Sequence, residues 1–285
     1  MKKVYISIAT LLLCGSMLMA QSPANRTAKT TVADVLVQMP AAKQAEYNKL
    51  IKELSSTGEE GVLMLIDRIN PPGKGSNSNV DYALSGLSHY VMAKGNENAR
   101  LTIANAYLKA LDKASERETK AFIIRQLQIL GKDECVDVLA TYLNDESLSS
   151  PAACALASIG TPKAGEILTA ALKSRSGSPK TQKNIIQAIG DVQVTEAEDL
   201  LLTLLETSNP EIQTELLYAL SQIGSLKSLD ALANAAAKDG YTMTKEGANE
   251  AYIILLNRLI EQGHLKEVTK AAQKLQKNAA KAGKE

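Results

Sequence analysis

Ala152-Ala153-Cys154-Ala155-Leu156-Ala157-Ser158-Ile159-Gly160 is an alanine-rich apolar run that stops at a glycine, and three other runs in the chain end the same way. They close at Ile129-Leu130-Gly131, Ala188-Ile189-Gly190 and Gln222-Ile223-Gly224, so successive glycines stand 29, 30 and 34 residues apart. Before Gly224 the apolar residues are Ile212, Leu216, Leu217, Leu220 and Ile223, in steps of 4, 1, 3 and 3. That is one stripe on a helix of 3.6 residues per turn. A glycine just past such a stripe is expected at the left-handed C-cap, where a side chain would clash.

A second helical stripe follows each of the first three glycines: Cys135, Val138, Leu139, Tyr142 and Leu143; Ile167, Leu168, Ala171 and Leu172; Leu200, Leu201, Leu204 and Leu205. Polar turn residues end each one, and Pro151, Pro179 and Pro210 then open the next first helix. Proline suits that place because its missing N–H would be unpaired there anyway. The frame extends to about seven helical hairpins, beginning near Ala41, Val80, Ser115, Ser149, Ser178, Asn209 and Met243. A single hairpin cannot bury both stripes, and stacking on its neighbours does. The fold class is therefore all-α, an α-solenoid covering residues 32–285 with regular repeats at about 115–240, after a flexible leader at 21–31.

The alanine-rich first helix, the Ile-Gly step and the second helix resemble the short HEAT repeats of phycobilisome lyases, and Ala152 to Gly160 is the best instance. The resemblance covers Ser115 to Gly240 well and Ala41 to Lys113 loosely. The chain departs from it where Val-Arg usually opens the first helix: Ser150-Pro151 and Thr181-Gln182 stand there. The resemblance implies a protein-binding scaffold whose second helices line the concave side.

The N-terminus reads as a secretory signal, residues 1–20. Lys2 and Lys3 precede an apolar stretch from Val4 to Met19, and after Ala20 the chain turns polar. The stretch is interrupted by Ser7, Thr10, Gly15 and Ser16, which disfavours a membrane anchor of about 20 apolar residues. Leu12-Leu13-Cys14-Gly15 is similar to a bacterial lipoprotein box, but that box takes a small residue where Leu13 stands, so lipid anchoring through Cys14 is not expected. The reading is export, to a periplasm. No later stretch is long and apolar enough to span a membrane. The chain has 32 basic and 31 acidic residues; without Lys2 and Lys3 the balance is 30 to 31. That argues against nucleic acid as a partner, which needs a basic excess.

No residue set identifies a reaction, and no cofactor or metal site is expected. His89 and His264 are far apart in sequence, whereas metal sites cluster their ligands. Gly73-Lys74-Gly75-Ser76 lacks the spacing of a phosphate loop. Glu196, Glu198 and Asp199 open a helix, where carboxylates favour the dipole. There is no Trp to build a sugar platform, and most tyrosines fit apolar stripes as core. Cys135 and Cys154 fall at the starts of consecutive antiparallel helices, too far apart for a disulfide; two buried free thiols are expected. On the last helix Lys266, Lys270, Lys274, Lys277 and Lys281 share one face, a solvated face or a surface for an anionic partner. The sum is an exported HEAT-repeat scaffold for protein–protein interaction, not an enzyme by itself. The signal and the alanine-rich repeats also resemble proteins in which HEAT repeats precede a jelly-roll domain of the 3-keto-disaccharide hydrolase type. On that alternative the chain is the N-terminal module of a larger glycan-processing enzyme, with any activity beyond Glu285.

Overall fold

The structure, a computed structural model, describes residues 26–283 apart from 175, 208, 245 and 246. The expected signal segment, Cys14 and residues 21–25 lie outside the described residues. Among the described residues there are fifteen α-helices and no strand. After α1 (Ala28–Val37) come seven hairpins: α2 (Gln44–Ser55) with α3 (Gly58–Ile66), α4 (Ser78–Val91) with α5 (Glu97–Lys113), α6 (Arg117–Leu130) with α7 (Asp133–Ala140), α8 (Ser149–Ile159) with α9 (Pro162–Lys173), α10 (Pro179–Val192) with α11 (Glu198–Thr207), α12 (Gln213–Ile223) with α13 (Leu229–Lys238), and α14 (Ala248–Glu261) with α15 (Leu265–Lys281). Each first helix packs on the next, in one row from α2 to α14. The seven expected hairpins are present, and their starts agree within a few residues.

The helices begin where the sequence supplies caps. Thr161 Oγ1 accepts the Ala164 N–H at 3.4 Å with Pro162 next to it, and Ser178 Oγ accepts the Thr181 N–H at 3.4 Å with Pro179 next to it. These side chains satisfy helix donors that have no partner in the helix.

The expected leader at 21–31 is corrected from Ala28 onward. Thr27 Oγ1 accepts from the Thr30 N–H and starts α1, which buries Val32, Val35 and Leu36 against α2, α3 and α4. Arg26 binds Asp34 and also Glu53 on α2. α1 thus packs across the first hairpin and the start of the second.

The left-handed cap expected at all four motif glycines occurs at one. Gly160 has φ 60°. Gly131 and Gly224 cap their helices with extended backbone, and a Cβ on either would come within 2.5 Å of the carbonyl oxygen of Leu127 or Leu220. Gly190 lies inside α10, and Gln193 takes the left-handed position after it. A Cβ on Gly190 would stand 3.0 Å from the Ala219 Cα on α12. This glycine sets the close approach of two first helices.

The row of second helices is more open. Direct contact is slight between α9 and α11 and between α11 and α13. Polar links compensate. Glu198 of α11 is buried and accepts the Ser225 N–H at 2.7 Å, Ser225 Oγ at 3.0 Å and Ser228 Oγ at 2.6 Å, which ties α11 to the turn before α13. Farther up the stack, buried Ser88 of α4 lies 2.9 Å from Tyr107 Oη on α5 and donates to Gln126 Oε1 on α6 at 2.9 Å. Buried polar groups need such partners, and these ones join three helices at once.

Candidate interaction surface

Helices stacked in register repeat not only their buried positions but also their outward ones. Counting back six residues from each motif glycine gives Arg125, Cys154, Asn184 and Tyr218. Each is exposed or half-buried on the first-helix side. Two depressions lie along this column. A small one, about 20 Å³, is lined by Ser150, Cys154, Asn184, Gln187, Ala188 and Asp191. A groove of about 360 Å³ follows it across three hairpins, between α10, α12 and α14. Its walls are Gln187, Thr214, Glu215, Tyr218, Ser221, Gly247, Glu250, Ala251 and Ile254. Gln187 lines both.

Local structure fixes the groove's polar groups. Tyr218 Oη donates to Asp191 Oδ1 at 2.5 Å, across from α12 to the end of α10. Burial and that bond push the Tyr218 phenol up to about 12, so it stays protonated at any physiological pH. Ser221 Oγ donates to the Tyr218 carbonyl at 2.7 Å. Lys183 Nζ stands 3.5 Å from Glu215 Oε1. The other oxygen, Glu215 Oε2, is buried and has no hydrogen-bond partner among the described residues. Arg258, one turn beyond Ile254, donates to the carbonyls of Ser221 at 2.9 Å and Gly224 at 3.3 Å. Its charge is therefore held by the α12 C-terminus. A larger, shallower trough of about 900 Å³ runs around the start of α12 toward α13, and Thr214 and Gly247 border both.

The sequence-derived candidates fall elsewhere. Lys266, Lys270, Lys274, Lys277 and Lys281 are all exposed on α15, and among the described residues none makes an ion pair. α15 packs on α14 and α13 through Val268, Ala271 and Leu275 and forms no wall of the groove. The second helices contribute nothing to the groove either.

Cys135 and Cys154 are both free. Cys135 is buried as expected, and burial, reinforced by neighbouring Glu134, pushes its thiol up to about 12. Cys154 is a correction: it is exposed. Ala152, Ala155 and Leu156 form the buried stripe of α8, and residue 154 lies off it. Burial of its inner part and Asp191 raise the Cys154 thiol, so it is not an activated nucleophile. Most of the described tyrosines belong to the core as expected: Tyr107 and Tyr252 are buried, and Tyr47, Tyr90, Tyr142 and Tyr241 pack half-buried against it, whereas Tyr82 is exposed and Tyr218 belongs to the groove. His89 is exposed on α4, and His264 precedes α15. Among the described residues, no group of three or more His, Cys, Asp or Glu could hold a metal ion. No helix among them is long and apolar enough to cross a membrane.

Comparison with known proteins agrees with this architecture. A family model described as HEAT repeats matches residues 173–253, and one described as PBS lyase HEAT-like repeat matches residues 152–174. No curated protein compared with the chain matches it. Among solved structures, an engineered protein from the Northeast Structural Genomics Consortium is similar at 18% identity and a TM-score of 0.43, over 89% of this chain and 78% of its own. The stack that runs from α8 into α14 is made of HEAT repeats.

Proposed function

We propose that the chain is an exported scaffold that binds a protein partner along its first-helix side and catalyses no reaction itself. One observation carries this reading: a groove formed jointly by three successive repeats, α10, α12 and α14, with fixed polar groups on apolar walls. Such a surface exists only in the assembled stack, which is how a repeat array makes a recognition face. Tyr218 is held by Asp191 and Ser221 by the Tyr218 carbonyl, so these hydroxyls serve positioning. The apolar run between Lys2-Lys3 and Ala20 supports export to a periplasm, with cleavage before Gln21 and no lipid on Cys14.

Two experiments test the reading. A photo-crosslinking residue at Thr214, on the groove wall, should trap a defined partner in the native envelope. The same residue at Thr203, on the exposed side of α11, should not. Equal trapping, or none at either, refutes the scaffold on this side. Residues 1–25 fused to a reporter active only outside the cytoplasm should give activity, and a silent, cytoplasmic fusion refutes export.

A further inference from the structure

The groove has one unanswered group. Glu215 lines it, and its Oε2 is buried without a hydrogen-bond partner among the described residues. A buried acceptor left unpaired is costly, and more so when it carries charge. The surroundings decide what donor suits it. Glu250 lines the same groove, and Asp191 stands at its edge, held by Tyr218. The cations nearby are occupied, Lys183 on Glu215 Oε1 and Arg258 on two carbonyls. Among the described residues that line the groove there is no lysine or arginine, so an anion would meet the carboxylate of Glu215 without a lining cation. A hard metal ion wants several oxygens converging on one point, and no such set exists among the described residues.

A lysine or arginine side chain meets every requirement. Its head supplies the donor that Glu215 Oε2 lacks, in a charge-assisted bond. Its methylene stem suits Ala251 and Ile254, as long cationic side chains lie along apolar surface. The Tyr218 ring offers a face for the cation. A volume of about 360 Å³ has room for such a side chain and the backbone that presents it. We propose that this groove binds a basic segment of a partner protein, with Glu215 as the receptor of one lysine or arginine head. The proposal rests on the scaffold reading and adds the chemistry of the partner.

The test uses the chain from residue 21 and fluorescein-labelled hexalysine, read by anisotropy at low salt. Wild type should bind, and Glu215→Gln, which keeps shape and removes charge, should weaken binding about tenfold or more. Ile254→Lys, which places a competing cation on the groove wall, should weaken it similarly, and it serves as a second probe if Glu215→Gln fails to fold. Lys163→Ala, on the second-helix side, should leave affinity unchanged. Equal affinity in wild type, Glu215→Gln and Ile254→Lys overturns the proposal, as does absence of binding by wild type. Full displacement of the peptide by spermidine at equal charge also overturns it, by making a free polyamine the ligand. None of these results touches the crosslinking at Thr214, by which the scaffold reading stands or falls.

Discussion

Replacing Arg100 by methionine tests how the repeats are joined where the second-helix row is thin. Arg100 opens α5 and is only 3% exposed. Its Nη1 donates to the Leu130 carbonyl at 2.8 Å and to Glu134 Oε1 at 2.6 Å, and its Nε donates to Glu97 Oε1 at 2.9 Å. The three acceptors differ in weight. Glu97 is mostly exposed, so its pair contributes little. Leu130 ends α6, and its carbonyl has no partner within the helix, so losing Arg100 orphans it, at about 1–3 kcal/mol. A hydrogen bond between charged groups contributes about 1.5–3 kcal/mol, and Glu134, a quarter exposed, recovers part of that from water. Removing a buried cation also relieves its desolvation. The net expectation for Arg100→Met is a loss of about 2–3 kcal/mol, or a fall in Tm of about 4–12 °C. Methionine keeps the apolar stem, so the effect isolates the charged head. Circular dichroism melting gives the size. Hydrogen exchange, which does not require the array to melt as one unit, should show faster opening at residues 131–140. Glu134→Gln should then cost less in the Arg100→Met background than in wild type. A loss below 0.5 kcal/mol, or a stabilised variant, would refute the reasoning: desolvation of Arg100 would then cancel its bonds.

Gly190→Ala should lower stability by about 1 kcal/mol. Alanine gains about 1 kcal/mol of helix propensity but is forced against the Ala219 Cα and the Tyr218 ring, both 3.0 Å from its Cβ, at about 1–3 kcal/mol; an increase in Tm would show that α10 and α12 have slack. Acid should weaken the chain through the same joint as Arg100→Met. Glu97 is held below its usual pKa by hydrogen bonds from Lys132 and Arg100; at Glu134 burial pulls upward but the Arg100 hydrogen bond prevails. Lowered folded values mean stability that is full above the ordinary 4.5 and is lost as pH falls through the folded values. Urea titrations from pH 6 to 3 should show that loss, and Arg100→Met should flatten it; an unchanged slope would contradict the assignment. In a chain from residue 21, a thiol reagent at pH 8 should modify Cys154 in the native state and Cys135 only in denaturant, and equal rates at both would contradict the placement of α8.

The architecture was readable because burial in a helical stack is periodic. A glycine near every thirtieth residue and a 3.6-residue stripe on each side of it leave one arrangement that hides both stripes. The role of each glycine was not readable, because three different needs leave the same trace. Gly160 is chosen for a positive φ, Gly131 and Gly224 for a turn too tight for a Cβ, and Gly190 for contact with the next repeat. An aliphatic residue directly before the glycine is common to all of them, and only the neighbouring chain segment tells them apart. α1 was missed for a different reason. Its stripe of Val32, Val35 and Leu36 and its Thr27 cap stand in the sequence, but without a motif glycine they fall outside the repeat frame.

The groove escaped because nothing in its sequence is periodic. Buried positions repeat one chemistry from hairpin to hairpin, so they reinforce one another when the chain is read along its length. Outward positions repeat only in space. Arg125, Cys154, Asn184 and Tyr218 occupy the same place on four consecutive first helices, yet they comprise a cation, a thiol, an amide and a phenol. A search for alternating or clustered chemistry along the chain finds no signal there, and it settles instead on the five lysines of α15, which are regular because one helix face is regular. The repeat frame that gives the fold also holds the key to the surface. Once the glycines set the register, residues at equal distance from them form columns, and the chemistry of a column can be followed down the stack. Here it passes from Arg125, through the neutral Cys154 and Asn184, to Tyr218 with Glu215 and Glu250 beside it. In this solenoid the regular spacing of buried residues serves as a ruler, and the groove lies where the outward residues measured by that ruler change from a cation to a phenol among carboxylates.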